Sequence, residues 1–289
     1  MATLRRSMLF LPGNNERFLA HAINTQADAL ILDIEDAVMP EHKSQARDMV
    51  KSALQSADFH GKERVVRVNG VSTQWGEEDL SVAVEGGADL ILIPKSDNEE
   101  VVKIADGIVT KAEKLHGIPE GRTKFMALIE TAAGLINVEQ TALASPRIDA
   151  LAFGGGDYGL STRIRVTPDE IAYLYPETKI MLAARMAGVM AIGTPYAQNI
   201  RDLEGVARQA RRQRDLGLDG KTVIHPTHVP IANEAFTPNP EEIAFAQKII
   251  EAYEASDRGA ITVEGKLIEH LHVAEARWAI EIARQAGAI

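Results

Sequence analysis

The chain has 289 residues, 45% of them hydrophobic and 25% charged, a balance that supports a sizeable core and excludes an intrinsically disordered protein. Its formal net charge of −10 argues against a nucleic-acid binder, which normally shows a basic face, while leaving room for a local basic pocket that takes an anionic substrate. With no cysteine in the chain, disulfides, zinc–thiolate sites, iron–sulfur clusters and cysteine nucleophiles are excluded, and a reducing compartment fits.

The first apolar run, Met8–Leu11, is too short for the apolar region of a signal peptide. No run approaches the roughly 18 apolar residues of a membrane span, so a cytoplasmic protein without a membrane partner is expected. Strand-like runs follow at Ala29–Ile34, Arg64–Val68, Leu90–Ile93, Phe125–Ile129, Ala150–Phe153, Met190–Ile192 and Thr222–Ile224. Most are rich in Ile, Leu and Val, as strands buried on both faces are. Helical patterns lie between them at Glu16–Thr25, Glu41–Ser56, Glu78–Gly86, Glu99–His116, Leu135–Leu143 and Asp202–Leu216. The alternation predicts an α/β fold of the (β/α)₈ TIM-barrel type. A doubly wound open sheet competes, but Leu11-Pro12-Gly13-Asn14-Asn15 after the first strand is not its Gly-rich fingerprint. The barrel is expected over residues 1–236. Residues 161–189 read as a long connection after strand six. Residues 237–289 read as a C-terminal helical arm, with a helix start at Pro238–Glu241, a strand-like Ala260–Ile268 and a last helix from about Val273. The arm is expected to pack on the barrel or on a neighbouring subunit.

Active sites of such barrels lie at the C-terminal ends of the strands. In this chain those ends carry Asp33-Ile34-Glu35-Asp36, Arg67-Val68-Asn69, Pro94-Lys95, Glu130-Thr131, Gly154-Gly155-Gly156-Asp157 and His225-Pro226. Glu130 and Asp157, at the ends of adjacent strands, suit a hard cation such as Mg²⁺, with waters or substrate oxygens completing its shell; solvated strand-end residues would look the same. Gly154–Gly156 allows close backbone approach. Arg67 stands in an apolar strand and needs an anionic or carbonyl partner, either a substrate or a structural ion pair with Glu35 or Asp36. Lys95 reads as an anion contact or a partner of Glu130, and His225 as a substrate contact or a capped strand-end residue.

At these residues the chain resembles the HpcH/HpaI aldolase and citrate lyase family, in its citrate lyase β-subunit-like (CitE-like) branch. The blocks that carry the resemblance are Arg6–Asn14, Leu32–Val38, Arg67–Asn69, Ile93–Lys95, Ile129–Ala132, Phe153–Asp157 and Gly220–Pro226, in that order. With the arm they cover roughly residues 5 to 270. The resemblance implies a homo-oligomer, trimeric or hexameric, with Mg²⁺ on Glu130 and Asp157 and with Arg67 binding substrate oxygens. It implies cleavage of a short β-hydroxyacyl thioester of coenzyme A, of the citramalyl-CoA or malyl-CoA type, to acetyl-CoA and a 2-oxo acid. A citrate lyase β subunit acting on an acyl-carrier thioester and a malyl-CoA thioesterase are the alternatives. Such lyases assign proton transfer to an aspartate in the arm, within Gly-Lys/Ser-Met-Ile-Asp. Here Gly265-Lys266-Leu267-Ile268-Glu269 places Glu269 at that position. Arg17 resembles the basic residue expected near the CoA phosphates, and a solvated helix residue fits it equally. A second departure is Ile192-Gly193-Thr194-Pro195, where many relatives carry an aspartate near Gly193.

Overall fold

The computed structural model describes residues 4–256 and 258–289. Eight parallel strands close into a barrel in sequence order: β1 Ser7–Pro12, β2 Ala29–Asp33, β3 Glu63–Arg67, β4 Leu90–Ile93, β5 Lys124–Ile129, β6 Ile148–Phe153, β7 Met190–Gly193 and β8 Gly220–Val223. Closure through the pairing of Met8 with Thr222 and Leu9 with Val223 excludes the open sheet. The strands feed α1 Glu16–Ile23, α2 Lys43–Ser56, α3 Gly76–Gly86, α4 Glu99–Leu115, α5 Ala132–Ile136, α6 Val138–Ala142, α7 Gly155–Thr162, α8 Ile171–Ala187, α9 Leu203–Asp215 and α10 His228–Phe236. Among the described residues no helix is long and apolar enough to cross a membrane.

Alternate residues of each strand point inward and fill the barrel. Met8, Ala29, Ile31, Val65, Leu90, Leu92, Met126, Leu128, Ala150, Ala152 and Ile192 form one buried cluster, a packed core rather than a pore. Below it, the fully buried Arg5 bridges Glu63 and Asp149 at 2.6 Å each. A charge so deeply buried persists only when it is paired in this way. The opposite end carries the site.

Two expectations about the helices around the barrel need correction. Residues 161–189 are mostly helical. Helix α8 runs through Pro176, because Tyr173, Pro176, Ile180, Ala183 and Ala184 bury one face at helical spacing, and that burial outweighs the lost N–H. Leu135–Leu143 is two short helices meeting at Asn137, not one.

The chain divides into two compact units, Arg5–Asn233 and Glu234–Ile289, the latter taking in Leu4 among the described N-terminal residues. In the C-terminal unit, Asn239 caps α11 Pro240–Glu254 through a reciprocal pairing with Glu242. Ala260–Ile268 is not one strand. It folds as an antiparallel hairpin, β9 Ala260–Val263 and β10 Lys266–Glu269, around Glu264 and Gly265, both with positive φ. Helix α12 begins at His270 and ends at Gln285. Ile243, Ala246, Ile249, Val263, Ile268, Val273, Ala276, Ile280 and Ala283 give the unit its own apolar core.

Candidate active site

Parallel pairing sets Asp33 beside Arg67 on the strands β2 and β3. The guanidinium binds Asp33 through Nε at 2.8 Å and Nη2 at 2.6 Å. Its Nη1 lies 3.2 Å from Glu35 and 3.6 Å from Asp36, and the group stacks 5.0 Å over Phe10. Burial opposes the charge of Arg67, but Asp33 outweighs it, so the guanidinium stays protonated. Arg67 is thus not free to meet a ligand with its whole fork: Asp33 takes two donors, and Nη1 faces Glu35 and Asp36. Neither Glu35 nor Asp36, the partners expected from sequence, makes the bidentate contact.

The loop after β2 is held from beneath. Asp33 accepts the N–H groups of Glu35 and Ala37. The buried Lys43 donates to the carbonyls of Ile34 and Glu35 at 2.8 and 2.6 Å, and Asn69 donates to Ile34 and Asp79. None of these supports was singled out from sequence, although Asp33, Glu35 and Asn69 stood in the strand-end blocks.

Lys95 ties the second half together. Its backbone adopts the left-handed region, φ 48, which costs a non-glycine residue free energy and clusters at functional sites. In that conformation its N–H donates to Glu130 Oε1 at 2.8 Å. Its ammonium donates to Glu35 at 2.8 Å and lies 3.4 Å from Asp157. Burial lowers its affinity for a proton, but Glu35, Glu130 and Asp157 together raise it well above the lysine range.

Glu130 is buried at the end of β5. Burial first, and then the charges of Glu35 and Asp157, push its carboxyl up to about 8, against the pull of Lys95. Glu35 is raised by burial too, against Arg67 and Lys95, and its Oε2 makes no hydrogen bond. Asp157 sits in the first turn of α7. The turn between β6 and α7 must be glycine: a Cβ on Gly154 would lie 2.5 Å from Glu130 Cβ and 2.8 Å from its Oε2.

Glu130, Asp157, Arg67, Asp33 and Asp36 line a cavity of about 690 Å³, together with Phe10, Glu170, Tyr173, Thr194, Pro195, Gln198, Thr222 and Ile224. The structure therefore brings Arg67, Lys95, Glu130 and Asp157 into one network. Arg17 is exposed on α1 and is not on the cavity wall. His225 is half-buried, its Nδ1 accepting the Thr227 N–H and facing the Thr227 hydroxyl at 2.8 Å; its neighbour Ile224, not His225, faces the cavity. Glu269 belongs to the C-terminal unit. It is exposed at the end of β10, with its N–H donating to His272 Nδ1 at 3.0 Å.

Among the described residues no three His, Cys, Asp or Glu side chains converge as a complete metal cage. The donor chemistry still fits a hard divalent cation held by two carboxylates, whose remaining positions go to water or substrate oxygens. Glu130 is raised by burial and then by the like charges of Glu35 and Asp157, which a bound cation would offset, and the absence of a side chain at Gly154 leaves room at its Oε2.

Residues 6–226 match the HpcH/HpaI aldolase/citrate lyase family. A (3S)-malyl-CoA thioesterase of Cereibacter sphaeroides is 39% identical, over 94% of this chain and 92% of that protein. The citrate lyase subunit beta of Leuconostoc mesenteroides subsp. cremoris is 35% identical, over 97% of this chain and 93% of its own. Among solved structures, protein CitE from Mycobacterium tuberculosis in complex with magnesium, acetoacetate and coenzyme A superposes with a TM-score of 0.79 at 25% identity, covering 98% of this chain and 100% of that one.

Proposed function

The chain belongs to the HpcH/HpaI aldolase/citrate lyase family, and from that premise we propose that it is a Mg²⁺-dependent carbon–carbon lyase cleaving a short β-hydroxyacyl-CoA, citramalyl-CoA or malyl-CoA, to acetyl-CoA and a 2-oxo acid. Its matched relatives are lyases and thioesterases, and it is an enzyme. The observation that carries the reading is the cavity in which Glu130 and Asp157 meet the Arg67–Asp33 pair.

Glu130 and Asp157 would hold Mg²⁺, which supplies Lewis-acid polarisation and a template for the oxygens of the oxo-acid half. The chain's own groups do the rest. Arg67, oriented by Asp33, turns Nη1 toward the place where negative charge develops on breaking the carbon–carbon bond. Lys95 keeps Glu130 in place through its N–H and balances Asp157 and Glu35 with its ammonium. Phe10, Leu128, Phe153 and Ile224 give the cavity an apolar wall beside that charge, and apolar surroundings strengthen each contact once substrate displaces water. As the bond breaks, the β-hydroxyl gives up its proton and becomes the oxo group of the 2-oxo acid, and the thioester enolate that leaves gains a proton on carbon, so the step is balanced by one proton lost and one gained. We assign the protonation on carbon to Glu269, contributed by the C-terminal unit of a neighbouring copy in a homo-oligomer, a trimer or hexamer. Arg17 is proposed for the CoA phosphates.

The 39% identity to a malyl-CoA thioesterase supports a second reading, hydrolysis of malyl-CoA to malate and free CoA. The 35% identity to a citrate lyase β subunit supports an acyl-carrier substrate. Incubating the protein with Mg²⁺ and malyl-CoA or citramalyl-CoA, and resolving the products, separates these. Acetyl-CoA with glyoxylate or pyruvate is expected, and Glu130→Gln and Asp157→Asn should each reduce it at least about a hundredfold, about 2.7 kcal/mol of transition-state stabilisation. Free CoA as the sole thiol product would favour hydrolysis. Turnover that survives both substitutions would overturn the metal assignment.

A further inference from the structure

We infer that Thr194 and Tyr173 are positioning residues that grip the Gly155 peptide from both sides and so fix Asp157 for the cation; this rests on the metal reading above. Glu130 is held by the Lys95 N–H. Asp157 has a more exposed carboxylate, 37% accessible, and its placement depends on the backbone of the first turn of α7. That turn begins at Gly154, which offers no side-chain cap, so its orphan N–H groups need acceptors from elsewhere. Thr194, just past β7, supplies one: the Gly155 N–H donates to its Oγ1 at 2.9 Å. Tyr173 of α8 grips the other end, its hydroxyl donating to the Gly155 carbonyl at 3.1 Å. A Cβ on Gly155 would lie 2.9 Å from both Thr194 Oγ1 and the Tyr173 ring, so only glycine admits the grip.

The two arms of the clamp close on one another. The Thr194 carbonyl accepts Gln213 Nε2 at 3.1 Å, and the same amide donates to the buried Glu177 at 2.6 Å. Arg212 joins Glu177 at 2.8 Å to Glu170 at 2.9 Å. The Glu170 carbonyl accepts the Tyr173 N–H at 2.9 Å, and the Tyr173 ring packs edge-on against Phe153, centroids 5.2 Å apart. A continuous path thus runs Thr194, Gln213, Glu177, Arg212, Glu170, Tyr173. Gly193 belongs to it. A Cβ there would lie 2.6 Å from the Gln213 amide, so the sequence departure at Gly193 makes the room through which Gln213 reaches Thr194.

Residues that orient a metal ligand without touching the metal are worth about 10- to 100-fold in metal affinity. The probe is Mn²⁺, its binding followed by the loss of the free-ion electron paramagnetic resonance signal. Thr194→Val and Tyr173→Phe should each weaken Mn²⁺ binding by about 10- to 100-fold. Thr194→Ser, which keeps the oxygen, should restore wild-type affinity. Val109→Ala, a cavity in the buried face of α4, is the destabilised control and should leave the affinity unchanged. Wild-type affinity in both Thr194→Val and Tyr173→Phe overturns the clamp, as does equal weakening by Val109→Ala. If Thr194→Val fails to fold, Tyr173→Phe decides alone. If the wild-type protein binds no Mn²⁺, the metal reading itself fails and the clamp falls with it, an outcome distinct from the others.

Discussion

Gly154 and Glu130 divide one small volume between them. The φ of Gly154 is −101, a value any residue adopts, so glycine is needed here for space and not for backbone freedom. Its missing Cβ leaves room for the Glu130 carboxylate, whose Oε1 is fixed by the Lys95 N–H. Gly154→Ala should therefore act through Glu130. Overpacking of this kind costs about 1–3 kcal/mol, so the variant folds with a lowered melting temperature. The displaced carboxylate should raise the Mg²⁺ concentration needed for turnover and reduce the maximal rate. Gly156→Ala, two residues on, meets nothing within 4 Å and should behave as wild type. Titrating activity against Mg²⁺ in both variants checks the pair, and a Gly154→Ala enzyme with unaltered Mg²⁺ dependence would refute the argument. The sequence pointed to close backbone approach at Gly154–Gly156, but it could not say that Gly154 and Gly155 are crowded while Gly156 is open.

At the scale of elements, Lys221 on β8 is fully buried, with its ammonium donating to Gln209 of α9. Burial pulls its pKa down to about 7, against the attraction of Glu177 and Glu170. The unfolded chain holds that proton up to the ordinary lysine range, near 10.4. Between about 7 and that range the unfolded state binds more protons, so this group makes stability rise with pH there and fall as pH drops toward 7. The slope is at most about 1.4 kcal/mol per pH unit. Lys221→Met removes the titration. Its melting temperature, followed from pH 7 to 10, should lack the rise that wild type shows relative to it; parallel curves would count against a neutral buried Lys221. Element positions were legible because strands buried on both faces read as unbroken apolar runs. Pairing was less so. Arg67 does pair with Glu35 and Asp36 through Nη1, but its bidentate partner Asp33 follows from the β2–β3 register, a long-range property no local pattern carries. The hairpin at Ala260–Glu269 escaped because its turn uses Glu264-Gly265, without the Asn-Gly or Asp-Gly signature that positive φ at both positions favours.

At the scale of the whole molecule, the proposed proton step requires a group from Glu234–Ile289 of one copy at the site built in Arg5–Asn233 of another. Each unit has its own core, the barrel interior in one and the face shared by α11, α12 and the hairpin in the other. Glu269 lies exposed at the junction of β10 and α12. A closed homo-oligomer, in which each arm meets the next copy's cavity through a heterologous contact, makes a quantitative prediction. Arg67→Ala and Glu269→Ala should each be nearly inactive. Denatured together in equal amounts and refolded, they form mixed oligomers in which about a quarter of the cavities pair an intact Arg67 with an intact Glu269 from a neighbour, by random assortment around a closed ring. Activity should then return to about that fraction of wild type. If Glu269 instead serves the cavity of its own chain, every subunit carries one lesion and mixing restores nothing. If Glu269→Ala alone retains wild-type turnover, Glu269 has no part in proton transfer.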